Sequence, residues 1–266
     1  MLWKVLSFYK IYAIIHLTHK FRKGGIFMIG IIGAMDVEIE GLNALMQQKE
    51  CEKISGITFT RGKLMGKDCV TAVAGIGKVN AAVCTQTMIL RYAPSAVINS
   101  GVAGGIGEGV HIGDIVLAGS VVQHDVDCSP LGDPKGFIPG MDLVHIPASQ
   151  RLTSLLADAA QNMQETAVHT GVIVTGDQFI NDSKTLVQLK ETFGGMACEM
   201  EGGSIGQVCY LNGVEFAVVR AISDNANDDS HMDYNKFVDI AAEKSIALIC
   251  RFLENLSASI SKTEPV

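Results

Sequence analysis

At 266 residues, with 48% apolar side chains, 28 glycines and few aromatics, the chain is long enough to bury one large core. Its make-up is that of a soluble α/β domain, which excludes fibrous and disordered classes. A formal charge of −7 argues against a nucleic-acid backbone as ligand, because such proteins present dense Lys/Arg faces to phosphate.

Residues 1–27, "MLWKVLSFYKIYAIIHLTHKFRKGGIF", hold five of the 21 Lys+Arg and no acid, which leaves 16 minus 28, or −12, for the rest of the chain. As a signal peptide the stretch fails, since Lys10 splits the apolar run and no small-residue cleavage site follows. As a membrane span it is too short and too often charged. Back-translation of "KGGIF" before Met28 permits a purine-rich ribosome-binding run. The expectation is therefore a start-site artefact over 1–27 and a native chain over 28–266; a peripheral amphipathic anchor is the rival.

From Met28 onward, short β-branched runs alternate with helix-length amphipathic stretches. "MIGIIGA" (28–34) predicts a strand and 36–48 a helix. "GITFTRGKLMGKDCV" (56–70) reads as an antiparallel hairpin near a sheet edge, "VTAVAG" (70–75) as the next buried strand, and 78–92 as a helix. Strands follow at "AVINSG" (96–101) and "DIVLAGSVVQ" (114–123), a helix at 148–163, a strand at "AVHTGVIVTG" (167–176) and a helix at 183–193. The short run "GMAC" (195–198) leads into a helix over 202–212, then "EFAVVRAIS" (215–223) and a last helix from about 233 to 256. Such alternation predicts one α/β domain, its mixed, mostly parallel twisted central sheet flanked by helices. The seven scattered cysteines, without a C-x-x-C pair or a histidine at zinc spacing, read as core thiols in a reducing cytoplasm.

In sheets of this kind ligands collect beyond the carboxyl ends of the strands, so the residues just after each run carry the functional signal. "GAMDVEIEGL" (33–42) puts Asp36 and Glu38 at a helix entrance, where acids either offset the helix dipole or aim into the crevice as a general base. "GVAGGIGEG" (101–109) is glycine-dense but matches no dinucleotide fingerprint. "GIGKVN" (75–80) fails the P-loop pattern, because Ala72 stands where its first glycine belongs. "DNANDDSHMDYN" (224–235) lacks the glycine and glutamate of a calcium loop, and the seven histidines form no zinc motif. "ACEMEGGSIGQVC" (197–209) sets Glu199 and Glu201 around one methionine at a helix start, which is costly unless partners or a ligand meet them.

Seven motifs occur in order over most of 28–250: "GIIGAMDVEIE", "GIGKVNAA", "NSGVAGGI", "HIGDIV", "VTGDQFI", "CEMEGGSIGQVC" and "VVRAISDNA". The series closely resembles the 5'-methylthioadenosine/S-adenosylhomocysteine nucleosidases, of the purine nucleoside phosphorylase-like superfamily. The resemblance implies hydrolysis of the N-glycosidic bond of 5'-methylthioadenosine, S-adenosylhomocysteine and 5'-deoxyadenosine, releasing adenine and a (thio)ribose in methionine salvage. It implies a small-molecule nucleoside substrate, no cofactor or metal, no nucleic-acid or membrane partner, and a homodimer. By motif, Asp224 is the acid at purine N7 and Glu38 the carboxylate that orients the attacking water. Glu201 bonds the ribose hydroxyls, Met200 packs on the sugar, and Arg220 and Ser223 support them. Phe179 stacks on the purine and the Ile180 backbone reads its edge; Glu199 and Met35 complete the substrate-binding set.

Two departures stand out. Val102 in "GVAGG" replaces a serine common in the family, which removes one polar contact near the water or sugar. The loop "DCSPLGDPKGFIPG" (127–140) corresponds to one that reaches a neighbour's 5'-thio pocket, and Leu131 stands where an aromatic residue is common, leaving the preferred 5' substituent open. Acids after the first strand suit water as the nucleophile and repel phosphate. Rival readings are another purine-nucleoside hydrolase, of futalosine type, and a non-catalytic nucleoside-binding module.

Overall fold

A computed structural model of the chain describes residues 28–260 except 162, 164–165 and 227–229. The stretch 1–27, expected to be a start-site artefact, lies outside the described residues, as does the middle of the acidic run 224–235.

The first strand, β1 (Ile29–Gly33), is buried along its whole length and leads into α1 (Asp36–Leu45). An antiparallel meander follows: β2 (Gln47–Ile54), β3 (Ile57–Leu64) and β4 (Lys67–Val73). The chain continues through α2 (Lys78–Tyr92), β5 (Ala96–Gly105), β6 (Ile115–Gln123), the short β7 (Ile146–Pro147) and α3 (Gln150–Ala160). Last come β8 (Val168–Thr175), α4 (Ser183–Phe193), β9 (Gly195–Glu199), α5 (Gly202–Asn212), β10 (Glu215–Asp224) and α6 (Ser230–Ile260).

Among the described residues all strands join one ten-stranded sheet ordered β10-β6-β8-β9-β5-β1-β4-β3-β2, with β7 on β6 and a further pairing of β10 to β5. That extra pairing closes β5, β10, β6, β8 and β9 into a ring, from which β1 to β4 extend as an open wing. The sheet is mixed, not purely parallel. β1 is parallel to β4 and β5, β10 to β5, and β8 to β6 and β9. The meander, β9 on β5, β10 on β6 and β7 on β6 are antiparallel.

Alternation along the strands divides the core between two faces. Ile29 and Ile31 pack with Ile39 and Leu42 of α1, Leu152 of α3 and Phe252 of α6. Ile32 packs on the other side with Met88 of α2 and Ile205 of α5. Each such buried side chain contributes about 1.5–3 kcal/mol, which is why strands covered on both faces read as continuous apolar runs.

Several boundaries shift from expectation, two of them informatively. The first helix ends at Leu45, not at 48, and Gln47–Ile54 forms an almost wholly exposed edge strand. "QQKECEKI" has no apolar face to announce a strand, and its pairing with β3 decides its conformation. The glycines of "GVAGG" belong to β5, where all ten residues are buried. Among the described residues no helix is long and apolar enough to cross a membrane.

Candidate active site

The ends of β1, β5, β9 and β10 meet around a cavity of about 360 Å³, within the usual range for a small-molecule site. At the end of β1 the two acids of "AMDVEIE" divide. Asp36 is exposed in the first turn of α1, as the dipole reading expects, while Glu38 is buried. Its carboxylate folds back on the helix entrance: Oε2 accepts from the N–H of Ala34 at 2.6 Å and of Met35 at 3.0 Å, and Oε1 from the N–H of Val102 at 3.0 Å. Burial nevertheless raises its pKa, against the opposing influence of Arg220 and the three N–H donors. A Cβ at Gly101 would lie 2.5 Å from Glu38 Oε1 and 2.9 Å from Arg220 Nη1, so only glycine lets β5 pass this close to the carboxylate.

The pair in "CEMEG" also divides. Glu199, at the end of β9, accepts the Thr175 hydroxyl on Oε1, and on Oε2 the N–H groups of Glu201 at 3.0 Å and Gly202 at 2.7 Å together with Arg220 Nη2. It lines the cavity, yet its acceptors are largely taken by the protein: it caps the start of α5 and holds the arginine. Glu201 is less committed. Its Oε1 accepts from the N–H of Gly77 at 2.8 Å, and its Oε2 lies 3.7 Å from Arg220 Nη2, so most of its lone pairs remain open. Burial and the neighbouring Glu199 charge push its pKa up to about 7. Arg220 is itself buried on β10, bonded also to Asn99 Oδ1 at 2.6 Å, and sits beneath the carboxylates without lining the cavity. Three buried carboxylates thus share one guanidinium, an arrangement suited to stabilising positive charge.

Asp224 closes β10 in different surroundings. Its Oδ1 accepts from the N–H of Ala226 at 2.9 Å and its Oδ2 from the Ser223 hydroxyl at 2.9 Å. Burial raises its pKa, with Asp233 adding to the shift and the two hydrogen bonds opposing it. A Cβ at Gly104 would lie 2.9 Å from Asp224 Oδ1, so a second glycine of β5 makes room for a second carboxyl.

The cavity gathers Met35, Glu38, Val102, Phe179, Glu199 and Met200 with Glu201, Ser223 and Asp224. Ile180 lines a smaller adjoining hollow shared with Phe179 and Asp224. The contact expected to be lost at Val102 has a counterpart in its backbone N–H on Glu38, which any residue there supplies. Leu131 is exposed in the turn Ser129–Leu131 and does not line this cavity. Sequence reasoning missed Ile76, Cys198, Tyr234 and Asn235, all on the cavity wall. "GIGK", which fails as a phosphate loop, places Ile76 at the wall and gives the Gly77 N–H to Glu201. An aromatic residue in the first turns of a helix, as at Tyr234, reads by default as core.

A family model described as the phosphorylase superfamily matches residues 28–254. A 5'-methylthioadenosine/S-adenosylhomocysteine nucleosidase of Shewanella baltica (strain OS195) is 42% identical over 235 residues, covering 88% of this chain and 99% of that protein. Among solved structures, the 5'-methylthioadenosine/S-adenosylhomocysteine nucleosidase of Neisseria meningitidis in complex with methylthio-immucillin-A superposes with a TM-score of 0.83 at 33% identity, covering 86% of this chain and 99% of that one. The futalosine hydrolase of Helicobacter pylori strain 26695 superposes with a TM-score of 0.82 at 35% identity, covering 86% and 98%. The chain belongs to the 5'-methylthioadenosine/S-adenosylhomocysteine nucleosidase family of the phosphorylase superfamily.

Proposed function

We propose that the chain hydrolyses the N-glycosidic bond of 5'-methylthioadenosine and S-adenosylhomocysteine, and of 5'-deoxyadenosine, releasing adenine and the corresponding (thio)ribose. The observation that carries this reading is the convergence of Glu38, Glu201 and Asp224 on one cavity. Cleavage makes the sugar cation-like while charge leaves with the base, so it needs an acid at the purine and carboxylates at the sugar. Asp224, its pKa raised by burial, is the acid that protonates N7. Glu38, with one lone pair of Oε1 left open by its protein donors, takes a proton from the attacking water. Glu201 accepts the ribose hydroxyls, with Met200 packed on the sugar. Phe179 stacks on the purine beside the Ile180 backbone.

Water is favoured over phosphate by the helix entrance itself. The N–H groups at the start of α1 that would attract an anion already hold Glu38. A phosphate charge about 4 Å from that carboxylate would be repelled by about 4 kcal/mol per unit charge at an effective dielectric of 20. The test is adenine release from each nucleoside in phosphate-free buffer. Turnover of futalosine to hypoxanthine with no adenine released from the thio-nucleosides would move the assignment to the Helicobacter type of activity.

Dimerisation fits the exposed stripe Val79, Val83 and Leu90 on α2, next to Tyr210 and Leu211 of α5. The two helices are joined by hydrogen bonds between Gln86 and Asn212. Burying that stripe in a second copy removes apolar surface from water. The seven free thiols suit a reducing compartment such as the cytoplasm.

A further inference from the structure

The loop that joins β4 to α2 serves the sugar end of the site through one backbone group. The Gly77 N–H gives Glu201 the one hydrogen bond that its carboxylate receives among the described residues, at 2.8 Å to Oε1. Gly77 has no side chain with which to cap α2, and it adopts φ +95°. The direction of its N–H therefore depends on what holds the loop from outside.

Three charged residues from three parts of the chain do this. The Lys78 N–H donates to Asp177 Oδ1 at 2.8 Å, the Asp177 N–H donates to Asp125 Oδ2 at 3.0 Å, and Lys78 Nζ donates to Asp125 Oδ1 at 2.6 Å. These contacts close a ring that fastens the first residue of α2 to the loops after β6 and β8. Burial works to raise the Asp125 pKa, but Lys78 and the Asp177 N–H outweigh it and hold the carboxyl below its usual range. A Cβ at Gly77 would lie 3.0 Å from Asp177 Oδ1, so this carboxylate packs directly on the residue whose N–H Glu201 uses. The Ser204 hydroxyl also donates to the Lys78 carbonyl at 2.6 Å, which fixes the place of the loop against α5 but not the direction of the Gly77 N–H. Neither Lys78, Asp125 nor Asp177 lines the cavity.

We propose that Asp177 is a positioning residue for the hydrolysis: held by Asp125 and Lys78, it sets the Gly77 N–H, and through that group the orientation in which Glu201 receives the ribose hydroxyls. The proposal rests on the nucleoside reading above. Without the N–H, Glu201 keeps only Arg220, at 3.7 Å, a guanidinium that Glu199 already holds more closely. A carboxylate drawn toward that cation turns away from the diol, and a misplacement of about 1 Å can cost about 100-fold in rate.

The test measures kcat/KM for 5'-methylthioadenosine, and the inhibition constant of adenine, on the wild-type protein and on Asp177→Ala, Asp177→Asn and Lys78→Met. Asp177→Ala should lose about tenfold or more in kcat/KM, while adenine, which carries no ribose for Glu201 to hold, inhibits as it does the wild type. Asp177→Asn keeps an oxygen for the Lys78 N–H and should recover to within about threefold of the wild type. Lys78→Met removes the ammonium alone; it should show the alanine pattern in smaller measure, and it carries the test if Asp177→Ala does not fold. In a Glu201→Ala background, Asp177→Ala should cost nothing further, because the two residues act as one unit. A smaller loss in Asp177→Ala, an asparagine variant as impaired as the alanine, or additive losses with Glu201→Ala each overturn the proposal. So does a matching loss in adenine affinity, which would route the effect through Phe179, two positions along the chain. Adenine release absent from the wild-type protein would instead reject the nucleoside reading itself.

Discussion

The two ends of the cavity use the same kind of side chain in opposite electrical settings. Asp224 has two neutral donors, the Ser223 hydroxyl and the Ala226 N–H, and burial drives it toward its protonated form. At the other end Glu38, Glu199 and Glu201 gather around Arg220, and backbone N–H groups hold each of them in place. In the reaction proposed above, Asp224 is the proton donor and the carboxylates around Arg220 supply the field for a developing cation. The difference also locates the stability risk, because only the sugar end depends on a buried cation.

The most severe disruption of this contrast is Asp224→Asn. It removes the proton at the purine end, and adenine release should fall about 10³-fold with the fold intact by thermal melting; near-wild-type turnover would refute the assigned acid. Glu38→Gln strikes the other end. Its loss should approach the same size and appear in kcat more than in KM, since the amide cannot take the water proton; its oxygen can keep the Ala34 and Met35 N–H groups, but its NH2 then faces the Val102 N–H. Arg220→Met leaves Glu199 without its cation, so the expected cost is about 3–5 kcal/mol, read as a drop of about 10 °C in Tm. No equivalent penalty is expected at the purine end, where Asp224→Asn leaves no charge uncompensated.

The smallest effect concerns pH. Glu201, Glu38 and Asp224 all have folded-state pKa values raised above their ordinary ones. The folded protein therefore binds more protons than the unfolded chain across that window, and stability declines as pH rises through it. For Glu201 the window runs from 4.5 to about 7. Tm should fall between pH 5 and pH 8, and Glu201→Gln should flatten that slope by about 2–4 °C. A slope that steepens in the variant would contradict the shift assigned to Glu201.

Much of this was legible in the sequence where a local rule and the tertiary outcome agree. The buried runs around Ile31, Ile98 and Val219 announced their strands, and the acids at the ends of those strands marked the crevice. The closure of half the sheet into a ring was not legible, because it depends on β10 finding both β5 and β6, a pairing no single segment encodes. The strand at Gln47–Ile54 was missed for a related reason: with one face in water and the other little covered, its side chains carry no period-two signal. Within the site, motif order pointed to Glu38, Glu201 and Asp224. The separate employment of Glu199 depends on Thr175 and Arg220, 24 and 21 residues away in the chain. Tyr234 stayed hidden because its hydroxyl partner is Met35, 199 residues distant.

Reaction with 5'-methylthioadenosine in H₂¹⁸O containing phosphate, followed by mass spectrometry of the sugar, tests the central claim most directly. Attack by water under Glu38 predicts free methylthioribose carrying the label at C1' and a rate independent of phosphate. An unlabelled sugar 1-phosphate, formed at a rate that rises with phosphate, would contradict the account.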